Sequence, residues 1–168
     1  MIDTGDRRPL RVLSLDGGGV RGIAALKLLK KIKDEGPSGK QPCEVFDMIA
    51  GTSIGGFIAI MLGRLKMTVE KCLEKYIEFM KIVFPDKYTL TEWIKVGWSG
   101  QKWNSEPLEN CIKKLISETL GTNKPEDIML LDDSVTDNNC KVFVVAVSTV
   151  GANNHEPVLF RSYVSQPA

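Results

Sequence analysis

Two glycine-rich turns lie about thirty residues apart in this chain, and each directly follows an apolar run. The first reads D-G-G-G-V-R-G at residues 16–22, and the second reads G-T-S-I-G-G at residues 51–56. Glycine is required where two backbones approach closely, as they do where a buried strand turns sharply into a helix. Two such turns predict two strand-turn-helix units, and therefore an α/β fold.

The remaining periodicity extends this prediction over the whole chain. Alternating or continuous apolar runs predict strands, and apolar residues at helical spacing predict helices. Predicted strands cover residues 10–15, 45–50, 141–148 and 157–163, and predicted helices cover residues 23–32, 54–65, 68–84 and 105–120. A helical turn is predicted before the second strand. Thr68 is the predicted N-cap of the third helix, whose apolar stripe includes Val69, Cys72, Leu73, Tyr76, Ile77 and Met80. We expect one domain over residues 1–168, a three-layer α/β/α fold with a mainly parallel central sheet.

Composition excludes several classes of protein. The 168 residues carry a net charge near +1, and no segment concentrates the basic side chains, so we expect no nucleic-acid partner. No apolar run is long enough to span a bilayer, and the polar N-terminus does not resemble a signal peptide, so we expect a cytoplasmic protein. One histidine and four cysteines without a C-x-x-C pair predict no metal and buried, reduced thiols.

Ser53 is the candidate catalytic residue. It stands at the centre of G-x-S-x-G, between a predicted strand and an apolar helix, which is the sequence context of a nucleophile elbow. Gly51 and Gly55 allow the strand and the helix to approach closely at such a turn. The alternative is a serine that only caps the following helix.

The first glycine turn suits a loop of oxyanion-binding amides, formed by Gly17, Gly18 and Gly19 with Arg21 beside them. Residues 17–22 also satisfy G-x-G-x-x-G, so a dinucleotide-binding domain is an alternative. That alternative needs an acidic residue at the end of the second strand, where this chain has Gly51-Thr52-Ser53. We therefore expect no cofactor.

A serine nucleophile also needs a base, and the residues do not identify one. Chain order permits a triad of Ser53 with Asp132 or Asp133 and with His155. His155 lies in an Asn-Asn-His-Glu-Pro segment that is typical of a solvated turn, and both aspartates lie in a polar connection. We do not expect this triad to form.

Taken together, the two turns resemble the D-G-G-G-x-R-G and G-T-S-x-G-G motifs of the patatin-like phospholipase family. The segments around residues 43–47 and 158–163 are similar to family segments as well. The resemblance is strongest with the calcium-independent phospholipase A2 branch and with patatin domains of larger fungal proteins. It implies a Ser–Asp dyad, no metal in catalysis and hydrolysis of phospholipids or other fatty-acyl esters, with transient contact to a membrane interface.

The family's catalytic aspartate lies in a later D-G-G or D-G-A motif, whereas Asp16-Gly17 is the only Asp-Gly pair of this sequence. We therefore expect the chain to be the N-terminal portion of a longer domain or a natural truncation, with further domains possible after it. The alternative to an active hydrolase is a lipid-binding or regulatory module without a base. Trp93, Trp98 and Trp103 are expected to pack or to lie in a loop, with a lid or interfacial patch as the alternative.

Overall fold

A four-stranded sheet is the centre of the fold. The computed structural model describes residues 8–18, 21–83, 106–132, 139–147 and 156–164. The strands are β1 (Val12–Leu15), β2 (Met48–Thr52), β3 (Lys141–Val147) and β4 (Pro157–Arg161), and they lie in the order β1-β2-β3-β4. The first three strands are parallel, and β4 pairs with β3 in the antiparallel sense. The predicted mainly parallel sheet is confirmed.

The helices follow the predicted order with modest changes at their ends. They are α1 (Arg21–Glu35), α2 (Pro42–Val45), α3 (Ile54–Ala59), α4 (Val69–Val83) and α5 (Glu106–Leu120). A π-helical turn (Ile60–Arg64) directly continues α3. The predicted cap at Thr68 is confirmed, because its hydroxyl accepts a hydrogen bond from the Lys71 amide at 3.2 Å. Helix α5 ends before Gly121, which has the positive φ of 65° expected after a helix.

The described helices cover one face of the sheet. Because parallel crossovers are right-handed, the sequential order β1-β2-β3 places both connections on the same side. Helix α3 and the π turn contact the strands on the face that carries Ile49 and Val142. Val12 and Leu159, which strand alternation places on the other face, are exposed. The described residues therefore supply two of the three expected layers.

The core lies between the sheet and this helical layer. The segment 54–65 is buried as predicted, since it lies between the strands on one side and α1 and α4 on the other. Helix α4 contributes the predicted apolar stripe and adds one buried residue, Phe79. The fully buried side chains include Leu26, Ile49, Ile58, Met61, Leu62, Val69, Cys72, Tyr76 and Val142.

The prediction of buried thiols was wrong for three of the four cysteines. All four are free, but only Cys72 is buried, and Cys43, Cys111 and Cys140 are partly exposed. Cys111 lies on α5, whose single buried residue is Leu115, so this helix is more peripheral than its apolar periodicity indicates. Burial raises the pKa of the Cys72 thiol above its ordinary range, so the side chain behaves as a small apolar group.

The amino-terminal edge of the sheet is held by Asp47. Its carboxylate accepts hydrogen bonds from the Arg8 guanidinium at 2.7 and 2.5 Å and from the Arg11 amide at 2.8 Å. Its carbonyl accepts a hydrogen bond from the Lys141 amide at 2.9 Å. Asp47 thus connects the starts of β1, β2 and β3. The two glycine turns lie at the opposite, carboxyl-terminal edge of the sheet.

Candidate active site

Ser53 stands directly after β2 at the carboxyl-terminal edge of the sheet, with φ 52° and ψ −127°. This combination lies outside the backbone regions that residues with a side chain readily adopt, and such strain concentrates at functional turns. The residue is exposed, and its side chain makes no capping hydrogen bond to the following helix. The capping alternative is therefore not realised, and the hydroxyl is accessible on a strained turn.

Glycines hold this turn against the neighbouring strand. A Cβ on Gly55 would lie 2.0 Å from the Leu15 carbonyl oxygen, and one on Gly51 would lie 2.4 Å from the Gly55 carbonyl. Gly56 is equally constrained, because its Cβ would lie 2.6 Å from Val144 Cγ1. The elbow is therefore built from close backbone contacts to β1 and β3 that leave no space for a side chain.

The first glycine turn lies beside Ser53. A Cβ on Gly17 would lie 3.0 Å from Ser53 Cβ and 3.6 Å from Ser53 Oγ, so the absence of a side chain allows the loop to reach the serine. Gly18 has φ 142°, and its carbonyl accepts a hydrogen bond from the Arg21 amide at 3.2 Å. Gly19 lies outside the described residues.

Arg21 begins α1, and the stem of its side chain packs over Gly18, where a Cβ would lie 3.0 Å from Arg21 Cδ. The residue is exposed. A cation at this position lies next to the loop in which negative charge is expected to develop.

Asp132, the one candidate triad partner that the structure describes, does not lie beside Ser53. Asp132 pairs with Arg64, with 3.3 Å between its Oδ2 and the guanidinium Nη1, and its amide donates to the Ser162 carbonyl at 3.0 Å. The Ser162 amide in turn donates to Val142, which pairs with Ile49 four residues before Ser53. Asp132 is thus roughly 13 Å of strand length away from the nucleophile turn. Asp133 and His155 lie outside the described residues.

The second strand ends in Thr52, whose hydroxyl donates to the Val145 carbonyl at 3.3 Å. The strand's nearest carboxylate, Asp47, lies at the opposite edge and is occupied by Arg8. Among the described residues that follow β2, residues 53–64, there is no acidic side chain of the kind that would hold a dinucleotide ribose. Within the described ranges, no three His, Cys, Asp or Glu residues cluster as metal ligands.

Two further expectations concern membranes. None of the helices that the structure describes has the length and apolar character needed to cross a bilayer. The three tryptophans at positions 93, 98 and 103 lie outside the described residues, so their role stays a prediction.

Sequence reasoning missed one contact of the site region. Gly22, the last glycine of the first turn, is buried against Tyr76 of α4. The helical spacing placed Tyr76 on a buried stripe, but it gave no indication of the helix that this stripe would meet. That partner depends on how α1 packs on α4, which is a tertiary property.

Comparisons with known proteins identify sequences similar to this chain. A family model described as patatin-like phospholipase matches residues 13–164. Phospholipase A I of Arabidopsis thaliana is 35% identical over 175 residues, which cover 94% of this chain and 13% of the relative. Human calcium-independent phospholipase A2-gamma is 34% identical over 119 residues, which cover 71% of this chain and 15% of the relative.

A bacterial relative, the cGAMP-activated phospholipase of Vibrio cholerae, is 27% identical over 173 residues, which cover 93% of this chain and 42% of the relative. The chain therefore spans less than half the length of each of these three relatives.

Proposed function

Because the chain belongs to the patatin-like phospholipase family, we propose that Ser53 is the nucleophile of a lipid acyl hydrolase and that residues 17–19 form its oxyanion loop. The observation that carries the proposal is the backbone of Ser53, an exposed non-glycine residue at φ 52° whose side chain does not cap the following helix. The family's relatives are named phospholipases, which supports a fatty-acyl ester of a phospholipid as the substrate.

The reaction proceeds in two steps. Ser53 Oγ attacks the acyl carbonyl carbon while its proton passes to a base, and the carbonyl oxygen becomes negative in the tetrahedral intermediate. Amides of the glycine loop stabilise this oxygen, and each such donor is worth about 3 kcal/mol in the transition state. The intermediate collapses, the alcohol leaves with a proton, and water then releases the fatty acid from the acyl-enzyme.

The base is the part of the mechanism that the described residues do not supply. The resemblance implies an aspartate in a later D-G-G or D-G-A motif, and the printed sequence contains no such motif after the first turn. We assign the base to that aspartate in the full-length protein. Transient contact with a membrane interface is part of the same proposal, because the substrate resides there.

Substitution of Ser53 by alanine in the full-length protein tests the proposal. We expect fatty-acid release from phosphatidylcholine vesicles to fall by at least about 10³-fold, because the nucleophile is lost. Ser38→Ala is the matched control, since Ser38 is an exposed serine in the loop after α1. It should leave turnover unchanged.

Two outcomes would contradict the proposal in different ways. Wild-type turnover by Ser53→Ala would remove Ser53 as the nucleophile. Vesicle binding by the wild-type protein, with neither fatty-acid release nor labelling by a fluorophosphonate, would favour the inactive lipid-binding module instead.

A further inference from the structure

Gly22 has no role in the reaction proposed above, yet its surroundings leave no space for a side chain. It lies buried in the first turn of α1. A Cβ on Gly22 would lie 2.4 Å from Tyr76 Oη, 2.6 Å from Tyr76 Cζ and 2.9 Å from Ile58 Cδ1. The start of α1 therefore rests directly on a phenol of α4 and on a side chain of α3.

Tyr76 is a rigid support for this turn. Its side chain is 0% exposed, and its ring lies 6.4 Å from the ring of Phe79. Burial raises the pKa of Tyr76 to about 12, so the phenol is neutral at physiological pH. Close packing around a planar ring leaves few alternative rotamers, so the position of Oη is well defined.

The glycine loop is held at both ends by elements that also hold Ser53. Before the loop, the Leu15 carbonyl lies against Gly55 on α3. After the loop, Gly22 lies against Ile58, also on α3, and against Tyr76. Helix α3 begins directly after Ser53, so the same helix positions the serine and both ends of the loop.

We propose that Tyr76 is a positioning residue, which sets the distance between the glycine loop and Ser53 through its contact with Gly22. This inference rests on the proposed role of Ser53. Tyr76 contacts the loop's helix and not the substrate, so it acts through the first turn of α1. Catalysis is sensitive to such placement, because a displacement of about 1 Å costs roughly 100-fold in rate.

A double-mutant cycle in the full-length protein tests the contact. Gly22→Ala introduces a Cβ into the phenol and pushes α1 outward, and Tyr76→Leu removes the ring that supports the turn. We expect each to lower kcat roughly 10- to 100-fold with KM nearly unchanged, because oxyanion donors act on the transition state. In the pair, the new methyl group occupies part of the space that the ring vacated, and kcat should recover to within about tenfold of wild type.

Val69→Ala is the matched control for loss of a buried side chain from the same helix. Val69 is 0% exposed and lies about two helical turns before Tyr76, at the end of α4 where Glu70 pairs with Lys33 of the last turn of α1. We expect it to lower the thermal midpoint about as much as Tyr76→Leu while kcat stays within about twofold of wild type. This comparison still decides the question if Gly22→Ala does not fold.

The inference would be overturned by independent effects of Gly22→Ala and Tyr76→Leu on kcat, or by a kcat loss in Val69→Ala equal to that in Tyr76→Leu. The second result would mean that Tyr76 only stabilises the fold. An active Ser53→Ala enzyme is a separate outcome, which would overturn the proposed function and this inference with it.

Discussion

At the scale of single residues, Ser53 carries a backbone conformation that suits glycine better than serine. Its φ of 52° and ψ of −127° cost about 1–3 kcal/mol for a residue with a Cβ. The chain tolerates this strain because Gly51 and Gly55 allow β2 and α3 to pack closely against each other and against β1 on either side of the turn. We infer that the strain is retained because it exposes the hydroxyl to substrate.

Comparing Ser53→Gly with Ser53→Ala measures this strain. Both variants lack the nucleophile and should be inactive, but only glycine relaxes the backbone, so Ser53→Gly should be about 1–3 kcal/mol more stable to urea than Ser53→Ala. At Ser38, where φ is not positive, glycine should be no more stable than alanine. Equal stability of the two Ser53 variants would show that the turn is unstrained.

At the scale of the elements, the prediction from sequence was accurate in segments with a single clear pattern, either an apolar run or a turn motif. The apolar run at 141–148 gave β3, and G-x-S-x-G located the start of α3, because local backbone geometry decides both. The π turn at residues 60–64 was not predicted. Gly63 lies in this turn, and a Cβ there would lie 2.3 Å from Val142 Cγ2, so the turn packs closely on β3. Local sequence gives no indication of such a contact.

The sequence predicted one contact of the site region and missed another. The motif spacing placed Gly17 near Ser53, and the structure brings them into contact. The motif spacing did not predict the ion pair between Arg64 and Asp132 at the other edge of the sheet. That pair depends on the direction in which α3 and the π turn run along the sheet.

Gly55→Ala tests the packing of α3 on β1. The added Cβ would lie 2.0 Å from the Leu15 carbonyl oxygen, so two elements must separate, at a cost of about 3 kcal/mol or more in the free energy of unfolding. Gly121 has a positive φ, but an added Cβ there would have no atom within 4 Å. Gly121→Ala should therefore lower the free energy of unfolding by only about 1 kcal/mol. Chemical denaturation measures both. Similar losses would contradict the close contact.

At the scale of the whole molecule, the two edges of the sheet serve different purposes. The carboxyl-terminal edge carries Ser53 and the glycine loop, and the amino-terminal edge carries the ionic contacts of Asp47. Side-chain hydrogen bonds from Arg8 hold the pKa of the Asp47 carboxyl well below its ordinary value of 3.8. A carboxyl with a lowered pKa stabilises the fold above that ordinary value, and this contribution is lost as the pH falls through the folded-state pKa.

Asp47→Asn should therefore lower the thermal midpoint at pH 7 without changing kcat. The difference from wild type should shrink as the pH falls below about 4, because the carboxyl of the unfolded wild-type chain takes up a proton there and the folded one does so only at lower pH. Glu35→Gln is the control, because Glu35 pairs with Lys31 on the exposed side of α1 and such a pair should have little effect. A midpoint difference that does not change with pH would rule out the ionic contribution.

The most direct test of the central claim is to locate the adduct of a fluorophosphonate on the full-length protein by peptide mass spectrometry. Such a probe reacts with a serine that is exposed, activated and close to oxyanion donors. We predict stoichiometric modification of Ser53 and none of Ser38. Modification of a different residue, or hydrolysis of phospholipid that continues after Ser53 is fully blocked, would contradict the account.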